Sequence, residues 1–247
     1  MDREKFYRLM SAPADLDYEV YLRTDALLQC QKPFADLANA DELQFQIVHQ
    51  VEELWMKLLA WTLLDVDDHM AARETNRVVT LFGRCHRLLT MMTEQLGLLE
   101  TMSPKEYQEI RQQLGNGSGQ ESPGFRILLR MPPLLWPTFE ERYLKGRTVR
   151  DVYDNGYRHD DAYVIAEALM DFDELFQKFR WHHIFLIHRS IGMGASSLKG
   201  RPVDLLQAGA SHRFFPALWD VRGEMTDSWG AAYGRVRDSL SENDKPD

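Results

Sequence analysis

Apolar residues recur every three or four positions along almost the whole chain, while the alternation of apolar and polar residues that marks β-strands is scarce. The expected fold class is therefore all-α. Helical patterns cover residues 40–65, 75–101, 104–114 and 160–191, and these four segments are expected to form the core of a helical bundle. The chain shows no repeat and no convincing domain boundary, so residues 1–247 are expected to form a single domain.

Capping residues mark the starts of the expected helices. Asn39 and Asp41 are candidate N-caps of the first, and Ser103 with Pro104 and Glu106 forms a capping-box pattern before the third. The first helix carries apolar residues at helical spacing: Leu43, Ile47, Leu54, Leu58 and Trp61. Two stretches rich in glycine and serine, 115–119 and 192–202, follow helix ends, which is typical of a helix stop and a turn.

Composition narrows the function classes. The chain has 247 residues, 44% of them hydrophobic, so it can bury a substantial core. With 29 Lys and Arg against 38 Asp and Glu, the net charge is −9, which disfavours nucleic acid and an anionic membrane surface as partners. The two cysteines are too few for a disulfide framework, and residues 1–14 lack the apolar core of a signal peptide. We therefore expect a cytoplasmic protein.

Two of the eight histidines lie within the apolar stripes of long helices. His49 follows Phe45 by four positions, and His183 follows Phe179 by four, so both are expected to point into the bundle. Four others lie in polar surroundings and are expected to face solvent: His69, His86, His159 and His212. A core histidine bonded to a backbone carbonyl is the ordinary alternative for either inward residue. Two such histidines on different helices favour a site.

Three kinds of site could use this pair. A mononuclear metal would need a third ligand, but His188 is five residues after His183 and lies roughly 140° round the helix. A di-iron centre would need two Glu-x-x-His repeats, and none occurs near His183. A haem needs one neutral imidazole on an apolar wall and a polar group on the opposite side. The chain has no Cys-x-x-Cys-His motif, so covalent attachment of a haem is not expected. A non-covalent haem suits the pair best.

Five segments, in order along residues 18–222, resemble those of tryptophan 2,3-dioxygenases. The most distinctive are FQIVHQVEELWMK at 45–57 and FRWHHIFLIHRSIG at 179–192. The others are YEVYL at 18–22, LETMSP with YQEIRQQL and SG across 99–119, and RFFPALW at 213–219. On these motifs the chain is identified as a divergent member of the tryptophan 2,3-dioxygenase family. The resemblance implies a helical bundle with a non-covalent haem between helices.

The resemblance assigns the two inward histidines to haem b and dioxygen. His183 is the implied axial ligand of the haem iron, in preference to His182, because its spacing to Arg189 and Gly192 matches the family pattern. His49 is the implied distal histidine, which hydrogen-bonds the indole N–H and shapes the O₂ pocket. The resemblance thus implies an oxygenase with one histidine as ligand of the haem iron and a second, catalytic histidine on the distal side.

The remaining implied contacts hold the substrate, L-tryptophan. Arg111 is expected to bind the amino-acid carboxylate through its planar guanidinium. Further residues are expected to line the indole cavity or contact the substrate: Phe45, Tyr107, Leu114, Ser118, Gly119 and Ser197. In the family an N-terminal arm enters a neighbouring subunit of a homotetramer. Residues 1–22 are therefore expected to cross to a second copy, with three contact residues: Tyr18, Tyr21 and Leu22.

Two loops depart from the family pattern. A glycine-rich segment usually follows the haem helix, and this chain has GASSLKG at 194–200 instead. Where the family usually has Ser-Gly-Phe-Gln-Ser, residues 118–122 read SGQES. Both changes concern closure over the substrate, which keeps the second oxygen atom with the first intermediate. We therefore expect insertion of one oxygen, giving a 2-oxindole-type product from L-tryptophan or a substituted tryptophan in a specialised pathway, with an external reductant.

Two alternatives stay open. One is an ordinary tryptophan 2,3-dioxygenase that inserts both oxygen atoms and forms N-formylkynurenine. The other is a non-catalytic haem-binding sensor that kept the fold and lost the chemistry. The presence of Arg111 and His49 argues against a sensor, because a sensor has no need to bind an amino-acid carboxylate.

Overall fold

The computed structural model describes residues 3–10, 16–115, 122–193 and 211–229, and every regular element in these ranges is helical. The all-α fold class is thereby confirmed. In chain order the α-helices are α1 (Arg3–Met10), α2 (Asp17–Leu22), α3 (Thr24–Leu27), α4 (Glu42–Ala71), α5 (Thr75–Leu99), α6 (Pro104–Gln113), α7 (Pro123–Leu128), α8 (Leu135–Phe139), α9 (Val149–Tyr153), α10 (Asp161–Ile191) and α11 (Pro216–Trp229). Of the described helices, none has the length and apolarity required to cross a membrane.

The core is formed by three long helices. Helix α5 packs against both α4 and α10, so it lies between them over most of its length. Helix α6, expected to be a fourth core helix, places only Ile110 in a buried position, outside the main cluster. The reason is its length of ten residues and its many charged and amide side chains. Helices α7, α8 and α11 add further core residues, including Leu128, Phe139 and Leu218.

Helix α4 differs from the expected helix in its end point and in its buried side. It continues to Ala71, six residues past the expected end, because Val66 and Met70 still face the core and are fully buried. The apolar positions singled out from the sequence are largely on its outer side, since four of them are exposed: Ile47, Leu54, Leu58 and Trp61. The buried stripe runs instead through Val48, Met56, Leu59 and Leu63. Because both sides are apolar, periodicity alone did not identify the buried one.

The boundaries of α5, α6 and α10 agree with the sequence analysis to within two residues. Asp160 caps α10 by accepting a hydrogen bond from the Tyr163 N–H at 3.0 Å, and Ser103 caps α6 by accepting one from Glu106 at 3.4 Å. Asp41 precedes α4 but makes no side-chain cap. Both expected glycine stops are observed: Gly115 and Gly192 have φ of 56° and 90°, a conformation that favours glycine.

A buried carboxylate joins α10 to the start of α11. Asp173 is 0% exposed, and its Oδ2 atom accepts hydrogen bonds from the backbone N–H groups of Phe214 and Phe215 at 2.8 and 3.0 Å. The indole N–H of Trp219 donates a third bond at 3.0 Å. Three donors on one carboxylate fix the position of residues 214–219 against the helix that carries His183.

Candidate active site

One cavity lies between α4 and α10, and both inward histidines line it. His49 comes from α4 and His183 from α10, and the space between the side chains is about 120 Å³. The other lining residues come from α4, α7 with its N-cap, and α10: Glu52, Glu53, Met56, Ser122, Phe125 and Phe179. The helical spacing of the two histidines thus correctly predicted that they face the same interior space.

Helix geometry determines the tautomer of His49. Its Nδ1 atom lies 2.7 Å from the backbone carbonyl oxygen of Phe45, one turn earlier in α4. A carbonyl oxygen only accepts, so Nδ1 carries the proton and donates, and Nε2 presents a lone pair. Burial lowers the pKa of His49, which keeps the ring neutral. The Phe45 ring packs on the imidazole at a centroid distance of 4.2 Å and holds its orientation.

His183 is a neutral imidazole that faces the cavity. Burial, with a smaller effect in the same direction from the neighbouring His49 and His182, lowers its pKa to about 4. Neither ring nitrogen hydrogen-bonds to another residue in the described ranges. His182 points elsewhere, because its Nε2 atom lies 2.9 Å from the Glu100 carboxylate beyond the end of α5. Of the two adjacent histidines, His183 is therefore the one with a lone pair available at the cavity.

The side chains that line this cavity fit a haem better than a metal ion held by protein ligands alone. No group of three His, Cys, Asp or Glu side chains within the described residues could hold a metal ion. A neutral imidazole without a hydrogen-bonding partner, on a wall that includes Phe125 and Phe179, has the chemistry of a haem axial ligand. The cavity is smaller than the roughly 300–1,000 Å³ of typical ligand pockets, so its lining side chains must move apart when a haem enters.

Helix α6 brings the expected substrate-binding residues next to Phe45. The rings of Tyr107 and Phe45 are 6.3 Å apart between centroids. Burial raises the pKa of Tyr107, and the positive charge of Arg111 one turn later acts against that rise, so these two side chains are neighbours. Asn39 fastens α6 to the start of α4 through hydrogen bonds of 3.0 Å to Glu106 and Glu109. Leu114 ends this helix and is 37% exposed.

Among the described residues, the three expected contact residues of the N-terminal arm are not at this cavity. Tyr18, Tyr21 and Leu22 lie on α2 and are 72%, 85% and 44% exposed. Ser118, Gly119 and Ser197 fall outside the described residues.

The expectation that His86 faces solvent is wrong. This residue is partly buried, and its Nε2 atom lies 3.0 Å from the backbone carbonyl oxygen of Ala168 in α10. Burial also lowers its pKa. The polar residues near it in sequence suggested exposure, but α5 is covered by helices on two sides.

Glu52 also lines this cavity, although it was not among the residues expected there. Its side chain is buried, and its Oε1 atom has no hydrogen-bonding partner among the described residues. Burial raises its pKa to about 7, an effect opposed by Gln95 and reinforced by the charge of Glu53. Glu52 follows His49 by three residues, and that spacing on a helix was the signal that placed both on one side.

Comparison with known proteins identifies the family. A family model described as Tryptophan 2,3-dioxygenase matches residues 5–131 and 138–225. The chain belongs to the tryptophan 2,3-dioxygenase family. A protein named tryptophan 2,3-dioxygenase from Myxococcus xanthus is 31% identical to it over 260 residues, which cover 85% of this chain and 89% of the relative. A protein of the same name from Xanthomonas oryzae pv. oryzae is 30% identical over 258 residues, which cover 84% of this chain and 87% of the relative.

A Xanthomonas campestris pv. campestris protein of the same name is 30% identical over 84% of this chain. Membership of the tryptophan 2,3-dioxygenase family confirms the expected enzyme class, a haem-dependent tryptophan oxygenase. The relatives are named as dioxygenases, so they give no support to the expected insertion of a single oxygen atom.

Proposed function

We propose that this enzyme is a tryptophan 2,3-dioxygenase, which cleaves the C2–C3 bond of the indole of L-tryptophan with O₂ and forms N-formylkynurenine. The observation that carries this proposal is the pair His49 and His183, on two long helices and lining one cavity, in a chain of this family. Each histidine is neutral and has a lone pair available, as a ligand and a hydrogen-bond acceptor require.

His183 is the residue that would hold haem b through its iron. When bound, the haem supplies a site at which O₂ is activated for attack on the indole ring. The low pKa of His183 supports this role, because the ring offers a lone pair instead of a proton over the physiological pH range. Phe125 and Phe179 keep water away from the reacting atoms.

His49 would accept a hydrogen bond from the indole N–H. Its Nδ1 proton is already donated to Phe45, so only the Nε2 lone pair is free to face a ligand. An N–H donor is the group that this lone pair binds, which selects the nitrogen edge of an indole. The bond also fixes the ring for reaction, since its C2 and C3 atoms then take a defined orientation.

The amino-acid part of the substrate would bind at α6. Arg111 supplies the positive charge for the carboxylate, and Tyr107 with Phe45 supplies an aromatic wall beside the indole. Leu114 directly follows α6, three residues after Arg111, and would extend that wall. For Ser118, Gly119 and Ser197 the proposed substrate contacts rest on the family motifs alone.

Assembly as a homotetramer, with the arm of one copy at the site of another, is part of the proposal. The exposed apolar side chains of α2 support it, because Tyr18 and Tyr21 are 72% and 85% exposed in the described part of a single chain. The outer side of α4 supports it too, since Leu54 and Trp61 are 50% and 65% exposed. A second copy of the chain would bury both sets.

Turnover of L-tryptophan by the haem-loaded protein under ¹⁸O₂ tests the proposal, with the product analysed by mass spectrometry. Two labelled oxygen atoms in N-formylkynurenine, formed without a stoichiometric reductant, are expected. One labelled atom with a requirement for ascorbate would establish the monooxygenase alternative, which the unusual sequence of residues 192–202 favours. Haem binding without turnover of L-tryptophan or a substituted tryptophan would establish the sensor alternative.

A further inference from the structure

The cavity between α4 and α10 contains a carboxyl oxygen without a hydrogen-bonding partner. Glu52 is 7% exposed, and its Oε1 atom bonds to no residue that the structure describes. The Gln95 side chain on α5 is near enough to lower the pKa of Glu52 as a hydrogen-bond donor, but its Nε2 atom makes no hydrogen bond of normal length to Oε1 or to another described residue. The adjacent Glu53 differs, because its Oε2 atom accepts a hydrogen bond of 3.0 Å from the Gly124 N–H. A buried polar atom left unpaired is unfavourable, so a ligand group that pairs with Glu52 would be bound selectively.

The order of residues along α4 shows which part of the substrate would reach this carboxyl group. Phe45 lies one turn before His49 and contacts Tyr107, on the helix that carries Arg111. Glu52 lies about 4.5 Å beyond His49 along the helix axis, in the opposite direction. If the proposed function is correct, the substrate carboxylate lies at Arg111 and the indole N–H at His49. The benzo ring of the indole then points toward Glu52.

We propose that Glu52 is a specificity-determining residue that hydrogen-bonds a hydroxyl or amino substituent on the benzo ring, so that the preferred substrates are ring-hydroxylated or ring-aminated L-tryptophans. Unsubstituted tryptophan presents only C–H groups there and leaves the carboxyl group buried without a partner. A hydroxyl group pairs with it as a donor or an acceptor. Two lining neighbours, Met56 and Phe179, have no comparable polar group to compete for it.

The test compares the binding of L-tryptophan with that of 5-, 6- and 7-hydroxy-L-tryptophan to the full-length, haem-loaded protein. Soret titration gives each dissociation constant, and equilibrium dialysis gives the same quantity without relying on the haem spectrum. Ring-methylated tryptophans, which have similar bulk and no hydrogen-bonding group, control for size. The variants are Glu52→Leu, which removes the carboxyl group, and Glu52→Gln, which keeps its shape. Glu94→Leu removes an exposed glutamate from α5 as a matched control.

The expected result is that one hydroxytryptophan binds at least about tenfold tighter than L-tryptophan, or about 1.4 kcal/mol. This preference should disappear in Glu52→Leu, survive in part in Glu52→Gln, and be unchanged in Glu94→Leu. An equal preference in the wild type and Glu52→Leu would overturn the inference, as would L-tryptophan binding as tightly as every hydroxylated form. Those outcomes leave the proposed function intact if L-tryptophan is bound and oxygenated. Failure of every indole amino acid to bind would overturn both.

Discussion

The link between α10 and α11 through Asp173 gives the sharpest prediction for stability. Asp173→Ala removes a carboxylate that accepts three hydrogen bonds in a fully buried position. The N–H groups of Phe214, Phe215 and Trp219 would then lose their common acceptor. Arg180, which is 8% exposed and interacts electrostatically with Asp173, would lose the charge that balances its own.

The size of the effect follows from these contacts. Each buried donor left without a partner costs about 1–3 kcal/mol, and removal of one member of a buried charge pair costs about 3–5 kcal/mol. These costs overlap, because small local movements admit water to some of the donors. We therefore expect Asp173→Ala to reduce the free energy of unfolding by about 3–5 kcal/mol, a large part of the roughly 5–15 kcal/mol typical of a folded domain.

Urea denaturation followed by far-ultraviolet circular dichroism measures this loss directly. The matched control is Asp171→Ala, which removes an exposed carboxylate two residues earlier in the same helix and should change the free energy of unfolding by less than about 0.5 kcal/mol. A loss below about 1 kcal/mol for Asp173→Ala would contradict this prediction, because it would mean that the three hydrogen bonds contribute little. Similar losses in both variants would show that the charge of α10 matters and the buried link does not.

Four further predictions concern the cavity, the substrate and assembly. His183→Ala should abolish stoichiometric haem binding, measured by pyridine haemochrome, while His182→Ala should retain it; the reverse pattern would refute the ligand assignment. Arg111→Lys should weaken L-tryptophan binding by at least about 1.5 kcal/mol, since the planar fork is lost, and an unchanged dissociation constant would remove Arg111 from the site. Deletion of residues 1–22 should impair assembly and turnover, measured by light scattering and activity; a full-length monomer with normal turnover would contradict this. Because burial raises the pKa of Glu52 from 4.5 to about 7, the folded chain retains a proton that the unfolded chain releases. As the pH rises from 4.5 to 7, the free energy of unfolding of the wild-type protein should therefore fall by about 3 kcal/mol relative to that of Glu52→Gln. Parallel pH profiles of stability for the two proteins would contradict the raised pKa.

The helices could be predicted from the sequence where one side of a helix is clearly more apolar than the other. In α10, Leu169, Phe172 and Phe176 recur at spacings of three and four, and all three are fully buried. In α4 the same method found the helix but not its buried side. Leu54 and Trp61 are as apolar as Leu59 and differ from it only in what packs on them.

The residues of the candidate site also differ in whether the sequence could predict their burial. His49 and His183 could be predicted because a histidine within an apolar stripe must share the burial of its neighbours. Glu52 was missed in spite of its three-residue spacing from His49, because a glutamate is ordinarily a sign that its position is exposed. The burial of His86 was not predicted for a related reason. Its contact with α10 depends on how the helices pack, which the residues around His86 in the sequence do not indicate.

The proposed contacts to the indole ring lie on a long helix, apart from the segments whose sequence departs from the family pattern. Phe45, His49 and Glu52 occupy successive turns of α4, and α5 packs against both α4 and the helix α10 that carries His183. A shared neighbour of this kind fixes the spacing between these three side chains and His183. The residues whose sequence departs most from the family lie instead at 118–122 and 192–202, outside these helices. If the proposed function is correct, side chains on these helices therefore select the ring that binds.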